Sequence, residues 1–180
     1  MHAGRRNSDM TLVLFDNSVY GLTKGQASPT TPKGDKMKLA YYGVPEAPIH
    51  PISLAIQYGA TFAARGFSAA PAELTPLLAQ AIQHRGFSLV QVISPCVTFR
   101  GKFKPLEEVK LNRADVPADH DVSDRSAAMT LADQTDQVYL GVLYERTDLP
   151  TYEDLMLDIE TEARVEGICS VEDVLDNFVR

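Results

Sequence analysis

The sequence predicts an α/β fold: an open, mostly parallel sheet with helices on both of its faces. Three observations predict it. Short strand-like runs alternate along the chain with helical patterns. The first run, Thr11-Leu12-Val13-Leu14-Phe15, is apolar throughout, as a strand covered on both faces is, and does not alternate as a surface strand does. The 180 residues, 44% hydrophobic and 23% charged, are enough for one ordinary domain with a hydrophobic core.

The elements follow in order. The run from Thr11 to Phe15 is a strand that ends at Asp16-Asn17. Gly21 to Gly34 is rich in Gly, Thr, Ser and Pro and reads as loop. It is long for a connection inside a compact domain, and such loops are usually functional or mobile. Ile52 to Tyr58 is a helix closed by Gly59, and Ala60 to Arg65 is a strand. Pro71 to His84 is a helix with Pro71 and Glu73 at its start and Leu74, Leu77, Leu78, Ala81 and Ile82 on one face. Gly86 stops it, and Phe87 to Ile93 is the next strand. From Arg100 to Asp124 the pattern is lost, and the segment reads as polar surface or partner contact. Asp124 to Thr135 is a helix capped by Ser123 or Asp124, and Val138 to Tyr144 a strand. Thr151 with Asp154 three residues on is close to a capping box. A last short helix is expected from Val171 to Phe178.

Composition excludes several classes. A net charge of -7 argues against nucleic-acid binding through a basic surface. No apolar run approaches membrane-spanning length, and Met1 to Asn7 is not a secretory leader. Cys96 and Cys169 stand far apart and make no disulfide framework, so the chain reads as cytoplasmic, with reduced thiols. In open parallel sheets, ligands bind beyond the carboxyl ends of the strands. Two unusual loops begin there, Asp16 to Pro32 and Ser94 to Phe99. In the first, Asn17 offers a neutral amide oxygen suited to Mg²⁺, and the Val19 carbonyl can point to the same side. Gly21 lets backbone approach a ligand. On spacing alone this is either a metal-diphosphate site or an ordinary polar loop.

The stretch Asp16-Asn17-Ser18-Val19-Tyr20-Gly21-Leu22-Thr23-Lys24-Gly25-Gln26-Ala27-Ser28-Pro29-Thr30 closely resembles the thiamine-diphosphate loop in the beta subunit of 2-oxoacid:ferredoxin oxidoreductases. Gly59 to Ser68, His84 to Ser88 and Ser94 to Phe99 resemble later segments of that family, in the same order. The resemblance implies a thiamine-diphosphate-binding fold and oxidative decarboxylation of a 2-oxoacid to its acyl-CoA, with electrons passed through a [4Fe-4S] cluster to ferredoxin. It implies an alpha subunit, ferredoxin, a 2-oxoacid and coenzyme A as partners, and no nucleic acid or membrane. Asn17 takes the place of the side-chain Mg²⁺ ligand and Val19 that of the carbonyl ligand. Gly21 and Leu22 resemble residues that touch the cofactor. Cys96 matches a cluster ligand, and Lys24 either meets a substrate carboxylate or coenzyme A phosphate or is a solvated lysine. The catalytic groups are the cofactor's own. The Leu-Thr-Lys-Gly-Gln version leans toward 2-oxoglutarate or broad 2-oxoacid enzymes. Pyruvate or branched-chain acids stay open.

The family's upstream cysteines and its Gly-Asp-Gly-Asp motif, which supplies the acidic Mg²⁺ ligand, do not occur in these 180 residues. The expectation is therefore a fold truncated at the N-terminus. Residues 1–100 form the C-terminal part of the cofactor-binding domain and residues 101–180 an extension. Such a chain is expected to be inactive alone, with an exposed edge or face, and a non-catalytic binding module is the other open reading. Cys169 reads as structural, and His2, His50, His84 and His120 as structural or exposed. Glu107-Glu108 and Asp119 to Asp124 read as solvated surface.

Overall fold

The computed structural model describes residues 1–99, 104–167, 171 and 175. A short helix, α1 (His2–Arg6), leads into β1 (Met10–Asp16). After a long loop come α2 (Pro51–Gln57), β2 (Phe62–Phe67), α3 (Pro71–Gln83) and β3 (Phe87–Ile93). The later half contains α4 (Lys104–Asn112), β4 (Arg113–Asp115), α5 (Arg125–Ala132), β5 (Val138–Glu145) and α6 (Tyr152–Glu166). The strands form one sheet in the order β1-β3-β2-β5-β4. Neighbours are parallel except β2 and β5, which are antiparallel.

The strand order explains why both faces are covered. The connection from β1 to β2 passes over the position of β3, and the connection from β2 returns to it. Right-handed crossovers in opposite directions place α2 and α3 on opposite faces. On one face Ile52, Ala55 and Ile56 of α2 and Ala128, Leu131 and Ala132 of α5 pack with Ala63, Leu89 and Leu143. On the other, Leu77 and Ala81 of α3 pack with Phe62, Ala64, Val90 and Val92. Each large side chain buried this way contributes about 1.5–3 kcal/mol over its exposed state.

Local signals set the helix starts. Pro51 and Pro71 open α2 and α3, where a missing amide hydrogen costs nothing. Asp124, not Ser123, caps α5, accepting from the Ser126 and Ala127 amides. Thr151 and Asp154 form a complete capping box on α6.

Two expectations need correction. The segment from Arg100 to Asp124 contains α4 and the edge strand β4, which pairs with β5. β4 has three residues, two of them charged, so hydrophobic periodicity does not reveal it. β1 is parallel as expected but not buried: it is an edge strand, with Met10, Leu12 and Phe15 exposed. Its apolar residues have a neighbour on one side only. His84, expected to be structural or exposed, is structural: its side chain is 1% exposed. The helix expected from Val171 to Phe178 falls mostly outside the described residues, as does Cys169. Among the described residues no helix is long and apolar enough to cross a membrane.

At the amino ends of β2 and β3 a buried polar network joins distant parts of the chain. Asn7 Oδ1 accepts from the Phe87 amide (2.9 Å) and the Thr61 hydroxyl (2.8 Å), and Asn7 Nδ2 donates to the Pro150 carbonyl (2.9 Å). The Thr61 proton is thereby committed, so His84 Nε2, 2.8 Å away, is the donor to Thr61. His84 Nδ1 faces Glu145 at 3.7 Å. Burial pushes the His84 pKa below its usual 6.5, and Glu145 and Asp9 oppose the shift. Gly86 closes the network with φ +124°, and a Cβ there would lie 2.4 Å from Asn7 Oδ1 and 2.5 Å from Thr61 Oγ1.

Two outcomes follow. Gly86→Ala destabilises the chain by about 2–4 kcal/mol, through overpacking and positive-φ strain, measured by denaturant unfolding. His84 binds its proton more weakly folded than unfolded, so its contribution to stability is complete above pH 6.5 and is lost as pH falls through the depressed folded pKa. Melting temperatures taken across this range show the decline. His84→Gln, which keeps a donor for Thr61, removes this part of it. An unchanged pH slope in that variant refutes the assignment.

Candidate functional site

The carboxyl ends of β1 and β3 lie side by side, because these strands are neighbours in register Asp16↔Ile93. The Ser94 amide donates to the Asp16 carbonyl at 2.7 Å. The two loops singled out in the sequence, after Asp16 and after Ile93, therefore start from one place. Val19 of the first packs with Met37 and Val44 in a small buried cluster, and Cys96 of the second lies against it. Phe99 packs on the turn at Gly21 and Gly25. Gly25 has φ +94°, and a Cβ there would meet the Phe99 ring at 3.1 Å, so the close approach needs glycine.

Asp16 organises the first loop. Its Oδ1 accepts from the Ser18 amide (3.0 Å) and the Thr30 hydroxyl (2.6 Å), and its Oδ2 from Gln91 Nε2 (2.8 Å). Asn17 Oδ1 accepts from the Val19 amide at 3.0 Å, an Asx turn. Ser18 sits in the left-handed region at φ 53°, unusual for a residue with a side chain. Thr31, 1% exposed, donates to the Ser18 carbonyl and accepts from the Ser28 amide, both at 2.8 Å. The Ser28-Pro29-Thr30-Thr31 stretch thus clamps Asn17-Ser18-Val19 from behind. Beyond it, Tyr20 and Gln26 bridge in antiparallel fashion, and the turn between them puts Leu22, 99% exposed, and Lys24 at its tip.

A cleft of about 370 Å³ opens beside this turn, lined by Leu14, Phe15, Asn17, Val19, Pro29 and Leu54 among others. A recess of about 480 Å³ lies at the other end of the sheet, beside His84, Arg85 and Glu145. It sits at the amino ends of the parallel strands, away from the end where such sheets bind ligands.

The fit to Mg²⁺ is partial and specific. The ion favours oxygen ligands in octahedral array. Asn17 and Val19 supply two neutral oxygens, and among the described residues the Val19 carbonyl accepts no hydrogen bond although the residue is 3% exposed. Both oxygens of Asp16 are already engaged by hydrogen-bond donors. The fit to an iron-sulfur cluster is poorer. Cys96 is half-buried and free, and such clusters take four thiolates. Among the described residues no group of three or more metal-ligating side chains comes together.

The structure also brings forward residues that carried no role in the sequence reading. Arg65, 6% exposed, donates from Nε to Gln91 Oε1 (2.9 Å) and from Nη2 to the Ala132 carbonyl at the end of α5 (3.0 Å). Burial lowers its pKa to about 10, against the pull of Asp16 and Asp133. The available signal was a charged residue inside a strand-like run and a lone Gln inside another, since buried polar groups are the informative exceptions.

The family described as thiamine pyrophosphate enzyme, C-terminal TPP binding domain, matches residues 1–92. The C-terminal family of the pyruvate ferredoxin oxidoreductase beta subunit matches residues 96–161. A 2-oxoacid:ferredoxin oxidoreductase beta subunit from Sulfolobus sp is 37% identical over 84% of this chain and 53% of its own. The 2-oxoglutarate synthase subunit KorB of Methanocaldococcus jannaschii is 40% identical over 61% of this chain and 42% of its own. The chain spans about half the length of these relatives. A solved structure is similar with TM-score 0.84 and 34% identity, over 99% of this chain and 61% of the other. It is 2-oxoglutarate:ferredoxin oxidoreductase from Magnetococcus marinus with 2-oxoglutarate, coenzyme A and succinyl-CoA bound. Two family matches in sequence, the named relatives and the shared fold agree, and the chain belongs to the thiamine pyrophosphate enzymes, among the beta subunits of 2-oxoacid:ferredoxin oxidoreductases.

Proposed function

We propose that this chain forms part of the thiamine-diphosphate site of a 2-oxoglutarate- or broad 2-oxoacid:ferredoxin oxidoreductase, working in a larger cytoplasmic assembly with an alpha subunit. The observation that carries the reading is the Asn17-Ser18-Val19 turn, fixed by Asp16 at the carboxyl end of β1 beside a cleft. Asn17 Oδ1 and the Val19 carbonyl would hold Mg²⁺, which would neutralise the cofactor's diphosphate. Gly21 gives the cofactor close backbone access, and Leu22, exposed on an ordered turn, supports its shape. Lys24 meets the distal carboxylate of the substrate or a phosphate of coenzyme A. When bound, thiamine diphosphate supplies the electron sink that lets a 2-oxoacid lose CO₂. The overall reaction of the complete assembly would yield CO₂, the acyl-CoA and reduced ferredoxin. We give Cys96 the place of one cluster thiolate. The described residues supply one of the four thiolates needed, so no electron-transfer step is assigned to them.

The residue ranges of the two family matches support a division near residue 100 into the end of the cofactor-binding domain and a C-terminal extension. The names of the relatives favour 2-oxoglutarate over pyruvate and branched-chain acids. By this reading the chain without its partners does not turn over.

The test is the complete complex, assayed for ferredoxin reduction with each 2-oxoacid and coenzyme A. 2-Oxoglutarate gives the highest kcat/KM. Preference for pyruvate, or no thiamine diphosphate in the purified complex, sinks the reading. Asn17→Ala lowers cofactor retention about tenfold or more, read by dialysis against limiting Mg²⁺, as expected for losing a bond worth at least ~1.4 kcal/mol. Lys24→Ala raises KM for 2-oxoglutarate by about tenfold or more, the scale of one hydrogen bond to a charged group. An unchanged KM returns Lys24 to the solvated loop.

A further inference from the structure

Three side chains cross the sheet in one row on its α2/α5 face, Arg65 on β2, Gln91 on β3 and Asp16 on β1. Arg65 and Gln91 are direct cross-strand partners, and Gln91 faces Leu14, two residues before Asp16. The hydrogen bonds run one way: Arg65 Nε donates to Gln91 Oε1, and Gln91 Nε2 donates to Asp16 Oδ2. Both ends of the Gln91 amide are engaged, so its orientation is fixed and it cannot turn over without losing both bonds. All three residues are buried, at 6%, 4% and 8% exposure, so an unmade bond here would not be replaced by bulk water. Arg65 is anchored at its far end by the Ala132 carbonyl, where the carboxyl end of a helix favours a cation. Neither Arg65 nor Gln91 lines the cleft.

We propose that Gln91 and Arg65 are positioning residues that set the geometry of the Asn17-Ser18-Val19 turn through Asp16, and so the affinity for the Mg²⁺–diphosphate group. This rests on the functional reading given above. The reason is the division of labour on Asp16. Its Oδ2 is drawn inward by Gln91, which leaves Oδ1 toward Ser18 and Thr30. Released from Gln91, the carboxylate can rotate. The Ser18 amide and the Thr30 hydroxyl then lose their fixed acceptor, and with it the left-handed Ser18 that directs Asn17 and Val19. A residue two strands away thereby controls where the metal-facing oxygens point.

The test exploits the one-way row. Gln91→Glu keeps size and keeps an acceptor for Arg65 but sets a carboxylate against Asp16. Asp16→Asn alone sets an amide donor against the Gln91 amide. The double substitution, Asp16→Asn with Gln91→Glu, keeps the summed charge and restores complementarity, because the amide introduced at 16 donates to the carboxylate introduced at 91. In the complete complex, each single variant raises the Mg²⁺ concentration needed to retain thiamine diphosphate by about tenfold or more, equivalent to at least ~1.4 kcal/mol. The double variant returns it to within about threefold of the parent, the coupling that contacting residues show in a mutant cycle. The KM for 2-oxoacid follows neither pattern, whereas the melting temperature of the cofactor-free complex falls in each single variant, because each leaves a buried polar pair mismatched. Parent-like cofactor retention in both singles overturns the proposal, as does a double variant that assembles but is no better than the singles. If a single variant fails to assemble, the double decides by itself: assembly with parent-like retention supports the row, and failure to assemble overturns it. A parent complex that never retains thiamine diphosphate defeats the functional reading instead. The row is then judged by hydrogen exchange at the Ser18 amide, which Gln91→Glu speeds by about tenfold or more if the row holds the turn. Unchanged exchange there overturns it.

Discussion

A guanidinium taken out of water dictates the arrangement of this end of the sheet. Arg65 is almost fully buried, and the cost of stripping its hydration must be met by oriented acceptors. It finds them in Gln91 and in the last carbonyl of α5, with the carboxylates of Asp16 and Asp133 nearby. Those acceptors belong to β3, α5 and, one step on, β1. Asp133 in turn accepts from Ser53 of α2 and lies 3.6 Å from His50. One buried charge thus ties three strands to two helices, and a strand-end loop hangs from the far end of the chain of bonds. Replacing one partner would leave a buried polar group unanswered, which is costlier than never having buried it.

The loop from Asn17 to His50 shows how an irregular segment can hold a shape without helix or strand. Its hydroxyl groups do the work that a ladder does elsewhere. Thr30 and Thr31 reach back to Asp16 and Ser18, and three apolar residues, Val19, Met37 and Val44, give it a small core. Within this frame Ser18 is kept in a backbone region that a side chain disfavours. Strain of this kind persists only where neighbours over-determine it, and it sits between the two residues whose oxygens are of interest.

What could be read from the sequence was whatever its neighbours in sequence decide. β3 was legible at both ends because Gly86 and Ser94-Pro95 bound a clear run, and the Thr151 capping box because three residues contain the whole device. The mixed sheet was legible only in outline. That β1 is an edge depends on what stands beside it, which no pattern within Thr11 to Phe15 encodes. β4 was hidden by its length and charge, and the antiparallel placing of β5 by the fact that both orientations carry the same alternation. At the site, Asn17, Val19, Gly21, Leu22, Lys24 and Cys96 were legible through resemblance to a family. The Arg65–Gln91–Asp16 row was not, because it exists only once β3 lies between β1 and β2, an inversion of their order along the chain.

That inversion has a consequence for how the molecule comes into being. Asp16 and Gln91 are 75 residues apart in sequence, and β3, which carries Gln91 and lies between β1 and β2 in the sheet, is made last of the three. Along this chain α2, β2 and α3 are all made between β1 and its neighbour β3. Pairings of such long range are slow, because the entropy of closing the intervening chain is spent before any contact rewards it. The bond from Gln91 to Asp16 is therefore available only once β3 has paired with β1, whereas the bonds from Ser18 and Thr30 to Asp16 are local. The hold of Gln91 on Asp16 thus depends on the pairing of β1 with β3, so a change that spoils that pairing reaches the strand-end turn as well.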